Sequence, residues 1–215
     1  MSASSDPVLA DLNSRSYLKQ LLAERNQFPD RSEKLDAEIH RVFGRKAAVL
    51  VLDMCGFSQT TTQYGIIHFL AMIDEMEHGA IPAVVDNGGQ VIKTDADNLF
   101  AIFSEPTQAV EAALDIFRAF DAINAVVPEN RDIRGSVGIG YGHLLVIGSE
   151  DVFGEEMNYA SKLGEDVGSA RDILLTPSAH DLLPPGRYEC TAETFPLAGR
   201  ELKAFRFQRC LYPTI

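Results

Sequence analysis

The spacing of hydrophobic residues changes near position 46, and that change divides the chain. Before it, Leu9, Leu12, Leu18, Leu21 and Leu22, then Leu35, Ile39 and Val42, recur at helical intervals among charges. Phe28-Pro29-Asp30 interrupts the series, since proline disfavours helix in the residue before it. Residues 1–45 are therefore expected to form two helices with a break. They suit a packing or dimerising element, or alternatively a segment that transmits a signal to the rest of the chain. After them, Ala47-Ala48-Val49-Leu50-Val51-Leu52 is a continuous apolar run ending in an acid, the pattern of a buried central strand. A helix is expected over 63–85, with Ile66, Ile67, Leu70, Ile73 and Met76 at helical intervals. Gly88-Gly89 turns into a hairpin of Gln90–Lys93 and Asn98–Phe103, and a second helix runs from Pro106 to about Val126. Gly135–Gly142 and Leu144–Ile147 read as strand, residues 155–167 as helix, and short strands come next near 173–176, 188–192 and 204–208. The order β-α-β-β-α-β predicts an α+β fold with a ferredoxin-like core over 46–215, with extra C-terminal strands and the helical segment 1–45 in front.

Composition narrows the functional classes. An apolar fraction of 46% and a charged fraction of 23% are those of a globular protein. The net charge of −12 argues against a nucleic-acid binder, which needs a basic surface. A single small triphosphate remains possible, because a few local cations and metals suffice for it. Cys55, Cys190 and Cys210 are too scattered for a disulfide framework or zinc site, and Cys55 reads as a small buried hydrophobe. No stretch approaches the roughly 18 apolar residues that span a bilayer, and the first residues lack a signal-peptide core. A cytoplasmic, reduced protein is expected.

Candidate chemistry gathers at strand ends. Asp53 closes the first strand, and Asp97 lies four residues after Lys93 in the hairpin turn. Neighbouring strands would let the two acids converge, and paired carboxylates suit Mg²⁺ or Mn²⁺. Taken singly, each acid fits a turn as well as a ligand; Asp95 reads as a turn residue. Gly56-Phe57-Ser58 opens a helix, and a glycine loop at a helix N-terminus presents free N–H groups to phosphates. Gly135, Gly138, Gly140 and Gly142 read as a strand passing close to another backbone. His143 reads as a surface histidine, with a reach toward a substrate phosphate as the alternative.

Four blocks together are more specific than any one. Asp53-Met54-Cys55-Gly56-Phe57-Ser58, Gly88 to Asp97, Gly138 to Gly142 and Asp151 to Leu163 resemble, in order and spacing, the catalytic blocks of class III adenylyl and guanylyl cyclases. The resemblance spans roughly residues 46–180. It implies that Asp53 and Asp97 hold two divalent metal ions, Mg²⁺ or Mn²⁺. It implies further that Lys93 and Asp151 read adenine, that Asn158 orients the ribose, and that Lys162 stabilises charge on the reacting phosphorus. ATP is then the expected substrate and 3′,5′-cyclic AMP the product. Guanylyl cyclases carry other residues, commonly Glu and Cys, where this chain has Lys93 and Asp151. The family builds its site between protomers, which implies a homodimer with two shared sites. Three positions depart from the pattern. Lys162 stands where Arg is usual and lacks its planar fork; Ala96 stands where Gly is usual; and Ile147–Asp151 is short where many relatives insert an arm that clasps the partner. A catalytically weak or inactive nucleotide-binding module is the alternative function, with a guanylyl cyclase behind it.

Overall fold

The computed structural model describes residues 12–197 and 200–211. Two N-terminal helices, α1 (Arg15–Gln27) and α2 (Ser32–Phe43), flank a 3₁₀ turn at Pro29–Arg31, so the break falls where proline places it. Ser14 caps α1, its hydroxyl accepting from the Tyr17 N–H at 3.3 Å. Leu21, Leu35, Ile39, Val42 and Phe43 bury themselves against Leu145 and Ile147 of the strand Gly135–Ile147, so the helix pair is seated on the sheet. Leu9 lies outside the described residues.

The next elements are β1 (Gly44–Met54), α3 (Phe57–Tyr64), α4 (Ile66–Asp86), β2 (Gln90–Asp95), β3 (Asn98–Phe103), α5 (Pro106–Asn124) and β4 (Gly135–Ile147). Then come β5 (Asp151–Phe153), α6 (Glu155–Lys162), β6 (Ile173–Leu175), α7 (Pro177–His180), β7 (Tyr188–Leu197) and β8 (Arg200–Cys210). The sheet order is β2-β3-β1-β4-β6-β8-β7, with β5 pairing off the β4 edge. The first four strands have the ferredoxin-like arrangement, and β1, buried on both faces, sits at their centre.

Alternation along β1 sends Ala48, Leu50 and Leu52 to one face and Val49, Val51 and Asp53 to the other. The first face packs on α4 and α5 through Met76, Ala80, Ala113, Ile116 and Phe120, all buried. The second face, with Phe100, Ile102, Val146 and Val152, is covered in part by α6 through Ala160 and Met157.

The structure corrects several sequence expectations. The helix expected over 63–85 is two helices, because Gly65 takes φ +85° and stops α3 after Tyr64. Ile66, Ile67 and Leu70 therefore do not line the core: they are exposed, and Phe69, Met72, Met76 and Ala80 do the burying. The helix expected to reach Val126 ends at Asn124, and that expected over 155–167 is α-helical only to Lys162 before a π turn at Leu163–Val167. Cys55 is half-buried rather than fully buried.

Candidate active site

The site begins with the glycines of β4. Register places Ser136, Gly138, Gly140 and Gly142 beside Asp53, Val51, Val49 and Ala47 on one face of the sheet. A Cβ on Gly138 would lie 1.9 Å from the Ala160 carbonyl oxygen, and one on Gly140 2.6 Å from the Glu156 carbonyl oxygen. Helix α6 thus rests directly on strand backbone, as the glycine spacing predicts. Gly164 adds to the closeness, and the buried Ser136 hydroxyl donates to its carbonyl at 2.7 Å. Glu156 fastens the start of the helix, accepting from the Tyr141 N–H, the Thr176 hydroxyl and the Ser178 hydroxyl. Asn158 and Lys162 are carried on this tightly placed helix. Asn158 is exposed, and Lys162 points its ammonium toward Asp166 at 3.9 Å.

Asp53, the next-to-last residue of β1, lies opposite Asn98 of β3, and the Met54 N–H donates to the Asp97 carbonyl at 3.1 Å. The tight β2–β3 turn thereby brings the two acids into one electrostatic neighbourhood. Ala96 occupies that turn at φ +52°, a conformation glycine takes more easily. Burial, then repulsion from Asp97, Glu165 and Asp166, pushes the Asp53 carboxyl up to about 7. Glu165 and Asp166 were missed from sequence: the π turn that brings them near leaves no mark in a helical pattern. Two carboxyl groups that repel one another in a half-buried place offer the oxygen donors a hard divalent cation prefers, so the donor set passes the chemical test for one. Among the described residues, no group of three or more His, Cys, Asp or Glu side chains is set to hold a metal by itself. Such a cation would take further ligands from backbone or substrate.

The raised Asp53 carboxyl has a stability consequence. Its folded value exceeds the ordinary carboxylate value of about 3.9, so its contribution is present below that value and lost as pH rises through about 7. Asp53→Asn should therefore stabilise the metal-free protein at pH 8 by roughly 1–2 kcal/mol, allowing for partial solvent screening. Thermal melts at pH 5 and pH 8 check this: an equal effect at both would refute it.

A second pair forms elsewhere on the same sheet face. The register shift between Val91 and Lys93 aims Lys93 over the Phe100 ring, its Nζ 4.8 Å from the centroid and 3.0 Å from Asp151 Oδ1. Asp151 begins β5, a strand sequence reading missed, and a tight turn at 148–150 folds it back on β4. Burial raises the Asp151 carboxyl, but hydrogen bonds from Lys93, Arg15 and its neighbouring Val152 N–H outweigh it and hold the group below its ordinary value. Among the described residues no hydrogen bond or ion pair joins this pair to Asp53 and Asp97.

Gly56, at φ +94° with open space around it, turns the chain from β1 into α3. Among the described residues no side chain caps the start of α3, where the backbone N–H groups of Phe57 and Ser58 lie. They have the polarity to meet an anion. His143 is exposed.

No family model matches the chain. The "Putative adenylate cyclase 3" of Rhizobium meliloti (strain 1021) is 27% identical over 137 residues, 64% of this chain. The aligned region covers 23% of that protein, so this chain spans about a quarter of its curated relative. Among solved structures, the guanylyl cyclase Cya2 superposes with a TM-score of 0.66 at 17% identity, covering 76% of this chain and 92% of that one. The adenylate/guanylate cyclase/hydrolase from Silicibacter pomeroyi gives 0.62 at 22%, covering 76% and 96%. The adenylyl cyclase CyaB from P. aeruginosa gives 0.61 at 17%, covering 77% and 96%. These likenesses take in nearly the whole of each cyclase domain, with adenylyl and guanylyl enzymes both represented. No helix among the described residues is long and apolar enough to cross a membrane. The chain has the α+β fold of a nucleotidyl cyclase catalytic domain.

Proposed function

We propose that the protein is an adenylyl cyclase that converts ATP to 3′,5′-cyclic AMP and pyrophosphate at two sites shared by a homodimer. The observation that carries the reading is the Lys93–Asp151 pair, 3.0 Å apart and largely shielded on the sheet face. A paired donor and acceptor match the adenine edge, with Lys93 donating to a ring nitrogen and Asp151 accepting from the exocyclic amine. Guanine presents a carbonyl where adenine presents that amine, so it would face the carboxylate with no proton to give.

Asp53 and Asp97 would hold two divalent ions, Mg²⁺ or Mn²⁺. Bound there, these would supply a lowered pKa for the 3′-hydroxyl and charge neutralisation for the departing pyrophosphate. The protein's own part is positioning and electrostatics. Asp53 must shed the proton that its surroundings favour near neutrality. The N–H groups of Gly56-Phe57-Ser58 and the start of α3 face the triphosphate, Asn158 orients the ribose, and Lys162 sets positive charge beside the transferring phosphorus. The separation of the acid pair from the base-reading pair supports assembly across two protomers, one supplying each.

A second reading, a nucleotide-binding module with little or no turnover, is favoured by Lys162. Its ammonium carries the charge without the two-pronged grip of a guanidinium. A product assay with ATP and GTP, in Mg²⁺ and in Mn²⁺, separates the readings. Cyclic AMP should form, with ATP preferred by about tenfold or more. No cyclic nucleotide across a wide range of protein concentrations, with ATP still bound in calorimetry, would give the case to the second reading.

A further inference from the structure

Neither the acid pair nor the base-reading pair explains what occupies the second oxygen of Asp151. Its Oδ1 is taken by Lys93 at 3.0 Å and by its neighbour's Val152 N–H at 3.0 Å. Its Oδ2 accepts from Arg15 Nη2 at 2.9 Å. Arg15 is the first residue of α1, and its Nε donates to Glu150 at 3.1 Å. Two residues before each of these partners, the Gly148 N–H donates to the Asn13 side-chain oxygen at 2.9 Å. The start of the N-terminal helices is thus fastened at three points to the turn that presents Asp151. The helices are also seated by a separate apolar cluster.

A carboxylate can rotate about its Cβ–Cγ bond, and rotation decides which lone pairs face a ligand. The group is planar, so its two oxygens turn together: Lys93 and the Val152 N–H resist that turn through Oδ1, and Arg15 resists it through Oδ2. Without the guanidinium the carboxylate turns through a wider arc, and the acceptor that would meet an exocyclic amine is less firmly set. A guanidinium on one side of Oδ2 leaves the second lone pair of that oxygen free and directed, because a carboxylate oxygen accepts from more than one donor.

We propose that Arg15 is a positioning residue for base selection: by holding Oδ2 of Asp151 it aims the carboxylate at the nucleobase, and it makes the attachment of α1 a determinant of which nucleotide is used. The proposal rests on the reading of Asp151 as a base-recognising residue. It assigns to the N-terminal helices a role within the reaction, distinct from packing. A displacement of α1 at its first turn would alter selectivity before it altered the acid pair, since no hydrogen bond or ion pair links Arg15 to Asp53 or Asp97 among the described residues.

The test is steady-state kinetics with ATP and with GTP on the full chain carrying Arg15→Gln, Arg15→Lys or Asn13→Ala. It is joined by calorimetry with 3′-deoxy-ATP, which binds but cannot cyclise. Arg15→Gln should raise the KM for ATP about fivefold with little change in kcat, and lower the ATP-to-GTP preference by a similar factor, the scale of one solvent-accessible charge-assisted hydrogen bond. Arg15→Lys should recover part of the preference, and Asn13→Ala, which removes one of the three fastenings and keeps Arg15 on Asp151, should lower it by clearly less than Arg15→Gln does. An unaltered preference in Arg15→Gln, or an equal loss in Asn13→Ala, overturns the role given to Arg15 while leaving the cyclase reading intact. A wild-type protein that makes no cyclic nucleotide overturns that reading instead. The affinity for 3′-deoxy-ATP then decides the matter for Arg15 alone: a fivefold loss in Arg15→Gln upholds it, and an equal affinity ends it.

Discussion

Asp53→Ala and Asp97→Ala should each lower cyclic AMP formation by on the order of a hundredfold or more, because metal-borne charge stabilisation is worth several kcal/mol. The two acids sit at adjoining ends of β1 and the β2–β3 turn, where backbone hydrogen bonding at Met54 and Asp97 sets their spacing. Truncating either leaves the sheet register untouched, so the loss should appear in turnover without a comparable loss of stability. Asp53→Ala should if anything melt higher than the wild type at pH 8, for the reason that applies to Asp53→Asn. Lys93→Ala should also be inactive on ATP, and it provides the sharper experiment. Mixed with Asp53→Ala, it should restore about a quarter of wild-type activity, since random pairing makes half the dimers mixed and each mixed dimer keeps one intact site of two. Activity in the mixture no higher than in either parent would remove the shared-site arrangement while leaving the acid pair in place.

Gly138→Ala should be the most destabilising glycine-to-alanine substitution among the described residues. The added Cβ would sit 1.9 Å from the Ala160 carbonyl oxygen and 2.8 Å from both the Ala160 carbonyl carbon and the Gly164 nitrogen. All three contacts are backbone, so no side chain can swing aside. Either α6 lifts from β4 or the strand bows, and overpacking of this kind costs about 1–3 kcal/mol or more. The same displacement carries away Asn158 and Lys162, so residual activity should fall further than the folded fraction explains. Gly56→Ala is the contrast: that position has open space around it, and only its φ of +94° is strained. Its expected cost is on the order of 1 kcal/mol. Urea melts with activity measured on the folded fraction test the pair; a Gly138→Ala variant as stable as Gly56→Ala would mean that α6 is not seated as described.

Much of this was legible in the sequence because the informative residues act locally. The run from Ala47 to Leu52 specifies a doubly buried strand, and Gly88-Gly89 punctuates the chain before the hairpin. The Gly138/Gly140/Gly142 alternation announces a backbone contact, because only a missing side chain permits one on every second residue. What escaped depends on partners far along the chain or on backbone angles. Gly65 interrupts a helical period without disturbing it, so Ile66, Ile67 and Leu70 kept the look of a buried face that the bend denies them. The three residues of β5 are too few to show alternation, yet they aim Asp151. Glu165 and Asp166 enter the surroundings of Asp53 through a π turn that no spacing rule encodes. Arg15 carries no motif at all; its meaning comes from a carboxylate 136 positions away.

That separation bears on how the molecule is made. Chains emerge from synthesis N-terminus first, and contacts between distant positions must await both partners and bear the entropy of closing the loop between them. Helices α1 and α2 precede in the chain the surfaces that bury Leu21, Ile39 and Phe43, which belong to Leu145 and Ile147. Until those two residues have been made, the amphipathic pair waits with its apolar stripe uncovered, open to chaperones or to another nascent copy. The Arg15 guanidinium likewise has no partner until Asp151 has been made, so the contact that aims this carboxylate forms only once both ends of a long loop are present.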